Sequence, residues 1–164
     1  MKPSVLIVMG SISDLPLFED AEKILKEFGI PYDIQVMSAH RSPKLVAQKF
    51  EQLPKQVQVV IAAAGGAAHL AGLVAAHTTK PVIGVPATST LNGLDSLLST
   101  SQMPVGVPVA TMAVGKPGGT NAAILAAEIL ALADPALVKK LEDYRSSLVS
   151  KIEAANRDLQ KSRQ

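Results

Sequence analysis

The chain has 164 residues, 48% of them hydrophobic, and carries 16 basic against 14 acidic side chains, a formal charge of +2. That is enough for one domain with a substantial core, and it leaves no block of charge to act as a nucleic-acid or membrane footprint. Cysteine and tryptophan are absent, with three Phe and two Tyr, which excludes disulfides, thiolate nucleophiles and zinc-thiolate sites and argues against stacking platforms for single-stranded nucleic acid. Residues 1 to 9 hold an apolar run too short for the core of a signal peptide, and no apolar stretch of membrane-spanning length is free of Gly and Pro. With no cysteine to oxidise, the composition fits a cytoplasmic protein.

Val5-Leu6-Ile7-Val8-Met9, ended by Gly10, reads as a strand buried on both faces. Ser11 to Asp14 offer hydroxyl and carboxylate caps, and Phe18, Ala21, Ile24, Leu25 and Phe28 follow at helical spacing until Gly29. Tyr32 to Met37 is the second strand, and Leu45, Val46, Lys49, Phe50 and Leu53 form an amphipathic helix after Pro43. Val57 to Ala62 is the third strand, running into Ala63-Ala64-Gly65-Gly66-Ala67-Ala68-His69-Leu70. Val82 to Pro86 is the fourth, followed by a polar turn from Thr88 to Asn92 and a short helix near Leu94 to Ser101. A fifth strand lies within Val107 to Val114, interrupted by Pro108, and an alanine-rich helix runs from about Asn121 to Ala133. Strands alternating with helices predict a five-stranded parallel sheet in a doubly wound, three-layer α/β sandwich of flavodoxin-like order.

A last helix, Pro135 to Gln160, places Leu137, Leu141, Tyr144, Leu148, Ile152, Ala155 and Leu159 on one narrow stripe. Coming after a complete βα unit, it is better placed to pack on a neighbouring subunit than on its own sheet. The expectation is a single domain over 1–164, with an α/β core over 1–133 and a helical extension over 134–164, in a homo-oligomer.

In this topology the C-terminal ends of the strands converge on one edge. There the sequence puts Ser11, Ser13 and Asp14, then Ser38, His40 and Arg41, then Gly65, Gly66 and His69. Each group also has a plainer reading: Ser11 to Asp14 fit a helix cap, and Gly65-Gly66 a tight turn. His40 next to Arg41 is harder to read as structure alone, because histidine both gives and takes a proton near neutrality and a guanidinium binds anions. His77, late in an alanine-rich helix without polar company, reads as structural or surface. The three histidines fall on different elements without carboxylates at matching intervals, so no metal is expected. No G-x-G-x-x-G follows the first strand and no Walker sequence occurs. The residues therefore describe an anion-binding α/β domain with a histidine acid/base.

Four ordered segments carry a resemblance: Met9-Gly10-Ser11-Ile12-Ser13-Asp14, Ser38-Ala39-His40-Arg41-Ser42-Pro43, Gly65-Gly66-Ala67-Ala68-His69-Leu70, and Asp95-Ser96-Leu97-Leu98 through Gln102-Met103-Pro104. Together they resemble the N5-carboxyaminoimidazole ribonucleotide mutases of purine (IMP) biosynthesis, over residues 4 to about 133. Two departures stand out: Ala71 where that family usually has proline, and Thr100-Ser101 in place of an apolar pair. The resemblance implies a homo-octamer and a ribonucleotide substrate whose carboxyl moves from the exocyclic nitrogen to ring carbon C4, without cofactor or metal. It implies that His40 protonates C4 as the carbamate loses carbon dioxide and removes that proton after recapture. It further implies that Ser13, Ser38 and Arg41 hold the phosphate, Asp14 the ribose, and Ser11 with the Gly65-Gly66 backbone the migrating carboxylate. His69 would be a pocket or supporting residue, and Ala63, Ala64, Ala67 and Ala68 a small-residue wall. Direct carboxylation of the uncarboxylated ribonucleotide, and a non-catalytic sensor of a phosphorylated ligand, are the alternatives.

Overall fold

Val5–Met9, apolar throughout, is buried throughout and forms β1, flanked in a computed structural model that describes residues 2–163 by β2 (Tyr32–Val36) and β3 (Val59–Ala64). With β4 (Val82–Pro86) and β5 (Ala110–Thr111) these make one sheet in the order β2-β1-β3-β4-β5. Every pairing is parallel, and β1 sets the register: Met9 lies opposite Val36 on one side and Ala63 on the other. The helices are α1 (Glu19–Phe28), α2 (Pro43–Glu51), α3 (Leu70–Ala76), α4 (Leu94–Ser101), α5 (Lys116–Ala131) and α6 (Pro135–Lys161). The structure divides into two compact units, residues 1–126 and 127–164.

Successive strand residues point to opposite faces. Leu6, Val8, Val60 and Ala62 share one hydrophobic cluster with Val46 and Phe50 of α2 and Leu70, Ala71 and Val74 of α3. The alternate set, Val5, Ile7, Met9, Val59 and Ile61, is equally buried, so a layer covers each face. Glycine sets the thickness of these layers at two places. A Cβ on Gly84 of β4 would stand 2.4 Å from Thr100 Cγ2 of α4, and one on Gly119 of α5 only 2.0 Å from the Leu17 carbonyl oxygen.

The structure moves several expected boundaries, each for a physical reason. A 3₁₀ helix, Ile12–Phe18, with Pro16 inside it precedes α1. β3 lies two residues later than its apolar run suggests, because alanines of weak strand preference are carried by pairing on both sides. α2 ends before Leu53. β5 shrinks to two residues beyond Pro108, which has no N–H to give a ladder. α5 begins at Lys116 instead of Asn121, its Gly118-Gly119 pair serving close backbone contact rather than a turn. The departures from the family pattern are accommodated: Ala71 joins the core cluster, and buried Thr100 donates its hydroxyl to the Ser96 carbonyl at 2.8 Å.

In the second unit, Leu137 and Leu141 of α6 are buried and Arg145 pairs with Glu128 at 2.7 Å. Beyond Tyr144 the expected stripe is open to solvent at Leu148, Ile152 and Leu159. Among the described residues no helix is long and apolar enough to cross a membrane.

Candidate active site

Three successive strands, β1, β2 and β3, end on the same edge. The chain leaves β1 towards β2 on one side and returns past β1 to β3 on the other, which opens a crevice above the central strand. Above β1, Ser11 caps the 3₁₀ helix: its Oγ accepts from the Ser13 amide at 3.4 Å and the Ser13 hydroxyl at 2.9 Å. The Ser11 N–H in turn donates to Asp14 Oδ2 at 3.1 Å, a reciprocal capping box. Partial burial pushes the Asp14 carboxyl above the usual carboxylate range, and the Ser11 amide offsets part of that rise.

Above β2, Ser42 closes the loop by donating its hydroxyl to the Ser38 carbonyl at 2.9 Å while accepting the Ser38 N–H at 3.3 Å. Arg41 reaches across to β1: its Nη2 donates to the Gly10 carbonyl at 2.7 Å and its Nε to Ser38 Oγ at 3.2 Å. His40 Nε2 lies 2.8 Å from Nδ1 of His69, the residue just before α3 in the loop above β3. The rings meet edge to face, with centroids 4.9 Å apart and planes at 76°. A hydrogen bond between two ring nitrogens needs one N–H and one bare lone pair, so the two imidazoles share a single proton at this contact.

These loops enclose a cavity of about 430 Å³ lined by Ser11, Ser13, Asp14, Ser38, His40, Arg41, Gly65 and His69, with Gly10, Ala39, Ala64, Ala67 and Leu70 between them. That volume suits a small-molecule ligand. Gly66 does not line the cavity: it turns the chain at φ +66°, and its N–H is already given to Ser96 Oγ at 2.9 Å. Of the alanine wall only Ala64 and Ala67 line the space, Ala63 and Ala68 being buried behind it. His77 stands apart at the end of α3 and does have polar company, with Nδ1 3.2 Å from Glu51 Oε1. Sequence reasoning missed Gly10, Ala39 and Leu70, which carry no functional group, and the serines of α4, which lie about thirty positions along the chain from the turn they hold. No group of three or more metal-ligating side chains occurs among the described residues.

A protein-family model described as AIR carboxylase matches residues 4–151. The chain belongs to the AIR carboxylase family. Among its relatives in that family, the N5-carboxyaminoimidazole ribonucleotide mutase of Methanocaldococcus jannaschii is 51% identical over 152 residues, covering 93% of this chain and 94% of that one. The enzyme of the same name from Bacillus subtilis is 51% identical over 149 residues, covering 90% and 92%. The crystal structure of Treponema denticola PurE superposes with a TM-score of 0.82 at 31% identity, over 96% of this chain and 99% of that one.

Proposed function

We propose that this AIR carboxylase family member is an N5-carboxyaminoimidazole ribonucleotide mutase, an isomerase of purine biosynthesis that moves a carboxyl group from the exocyclic nitrogen of its substrate to ring carbon C4. The observation that carries this reading is the His40–His69 pair, two imidazoles in hydrogen-bond contact set in the same cavity as the Arg41 guanidinium and three serines. Per turnover one proton arrives on the exocyclic nitrogen and one leaves C4. We assign to His40 the proton that C4 gains as the carbamate loses carbon dioxide and gives up as carbon dioxide is recaptured; the hydrogen C4 still carries then passes to the imine nitrogen, and the imidazole ends the cycle as it began it. His69, sharing the proton, fixes the ring and its reactive nitrogen.

Arg41, Ser38 and Ser13 hold the phosphate through charge-assisted and hydroxyl donors. Asp14 accepts from the ribose hydroxyls, and Ser11 with the Gly65 backbone receives the carboxylate. The electrons that move stay within the substrate, so the reaction calls on no cofactor. His40, Arg41, Gly65 and His69 are exposed in the single chain, so holding carbon dioxide requires a cover. A cytoplasmic homo-octamer, with the open stripe of α6 packed on a neighbouring subunit, supplies one.

The test is conversion of isotopically labelled N5-carboxyaminoimidazole ribonucleotide without added ATP or bicarbonate. Formation of the C4-carboxylated isomer carrying the substrate's own label is the expected result. A requirement for added carbon dioxide and the uncarboxylated ribonucleotide would make the protein a direct carboxylase, as the family's description allows. His40→Gln should retain ligand affinity while losing at least about 100-fold in turnover; retained turnover removes His40 as the base.

A further inference from the structure

Gly66 carries no reacting group, yet both of its backbone groups are held. Its N–H donates to Ser96 Oγ at 2.9 Å, and Ser96 is 0% exposed. Its carbonyl accepts the Ala68 N–H at 2.8 Å and shares the Ser99 hydroxyl, at 3.2 Å, with the Asp95 carbonyl at 2.8 Å. Behind Ser96 lie two more groups: Ser89 Oγ is 3.1 Å from Ser96 Oγ, and Ser89 donates to Asp95 Oδ1 at 2.5 Å.

A hydroxyl has one hydrogen, which settles the direction of these bonds. Ser89 gives its hydrogen to the carboxylate, so the bond between the two serines is donated by Ser96. Ser96, its own hydrogen committed, meets Gly66 with a lone pair. The hydrogens run one way, from Gly66 N–H to Ser96 to Ser89 to Asp95, and a chain ending on a full charge is stronger than the same bonds taken singly. The Ser89 hydroxyl holds the Asp95 carboxyl below its ordinary range, so the carboxylate stays ionised and the direction is kept.

We propose that Asp95, Ser89 and Ser96 are positioning residues for carboxyl transfer, a one-way hydrogen-bond chain that fixes the Gly65-Gly66 turn against the migrating carbon dioxide. None of the three lines the cavity, whereas Gly65 and Ala67, on either side of the clamped Gly66, do. This rests on the mutase reading above. When the carbamate C–N bond breaks, the freed carbon dioxide must be held beside C4. If it escapes, the nitrogen takes a proton and the uncarboxylated ribonucleotide leaves instead of product. A loosened turn therefore shows as leakage, which general destabilisation does not produce.

Ser96→Ala removes the acceptor for Gly66, and Asp95→Asn replaces the fixed acceptor with an amide that can also donate, so the direction is no longer imposed. Both variants are assayed with carbamate-labelled substrate, scoring product against released carbon dioxide, and Gly66 amide exchange is followed by NMR. The expected result is a kcat lower by about 10- to 100-fold, KM within about twofold, and a released fraction several times that of the parent. Gly66 exchange should rise about tenfold or more while the Val8 amide in β1 stays protected. Unchanged partition and kcat in both variants overturns the proposal, as does a rise in KM alone. If the parent protein converts nothing, the mutase reading fails, and Gly66 exchange still decides the clamp: unchanged exchange in both variants overturns it, and faster exchange upholds it.

Discussion

Arg41 divides its guanidinium between two strands, donating to the Gly10 carbonyl after β1 and to Ser38 after β2. It holds the mouth of the crevice in shape and presents a charge to it. Losing a charged hydrogen-bond donor costs about 1.5–3 kcal/mol, so Arg41→Ala should weaken binding of the phosphorylated substrate by about 10- to 100-fold in titration calorimetry. Arg41→Lys, a point charge without the fork, should recover only part; unaltered affinity in Arg41→Ala would remove it from the phosphate site. Asp14 makes the opposite compromise. Because burial raises its folded-state pKa, the folded protein binds a proton there more readily than the unfolded chain, and the stability this confers is lost as pH rises through the raised value. Asp14→Asn should therefore melt above the parent at neutral pH and lose that advantage on acidification through the carboxyl's titration, while activity falls. Melting scans across pH check the sign. A parent that outlasts the variant at neutrality would show that the Ser11 cap outweighs burial.

At the scale of elements, what the sequence discloses follows from how local its cause is. β1 and β4 keep their expected limits because an apolar run bounded by Gly10, or closed by Pro86, needs no partner to be recognised. The loops bearing His40, Arg41 and His69 are legible for the same reason, since they are the polar residues that follow strands. The partnership of His40 with His69, 29 positions apart, and the hold of Ser96 on Gly66, 30 apart, depend on the parallel register and have no local signature. The start of α5 is a third such case. Alanine is a better helix former than glycine by about 1 kcal/mol, so propensity alone makes Gly119→Ala stabilising. The Leu17 carbonyl oxygen 2.0 Å from the new Cβ makes it the reverse. Urea denaturation should show a net loss of about 1–3 kcal/mol, the usual penalty of overpacking; a gain would mean that the two backbones part without cost.

For the whole molecule, α6 leaves an apolar stripe open to solvent, with Leu148, Ile152 and Leu159 exposed and Ile152 66% so. If that stripe is where subunits meet, a charge there is buried without a partner on assembly. Ile152→Glu should then lower the sedimenting mass while leaving helical content intact, and an unchanged mass would place the interface elsewhere. The other feature that acts at long range is a missing side chain. Gly84 lies mid-strand in β4, outside the cavity lining, with Thr100 of α4 leaning over it. One turn before Thr100 on that helix is Ser96, which grips Gly66. A Cβ at Gly84 would stand 2.4 Å from Thr100 Cγ2 and 2.8 Å from Val109 Cγ1, too close for both side chains to stay where they are, and a displaced Thr100 disturbs the helix that positions Ser96. A genetic screen for lost growth without purines would thus return Gly84 among the residues of the cavity, and its alleles would pass for damage to the catalytic centre when what had changed was the spacing of a distant layer.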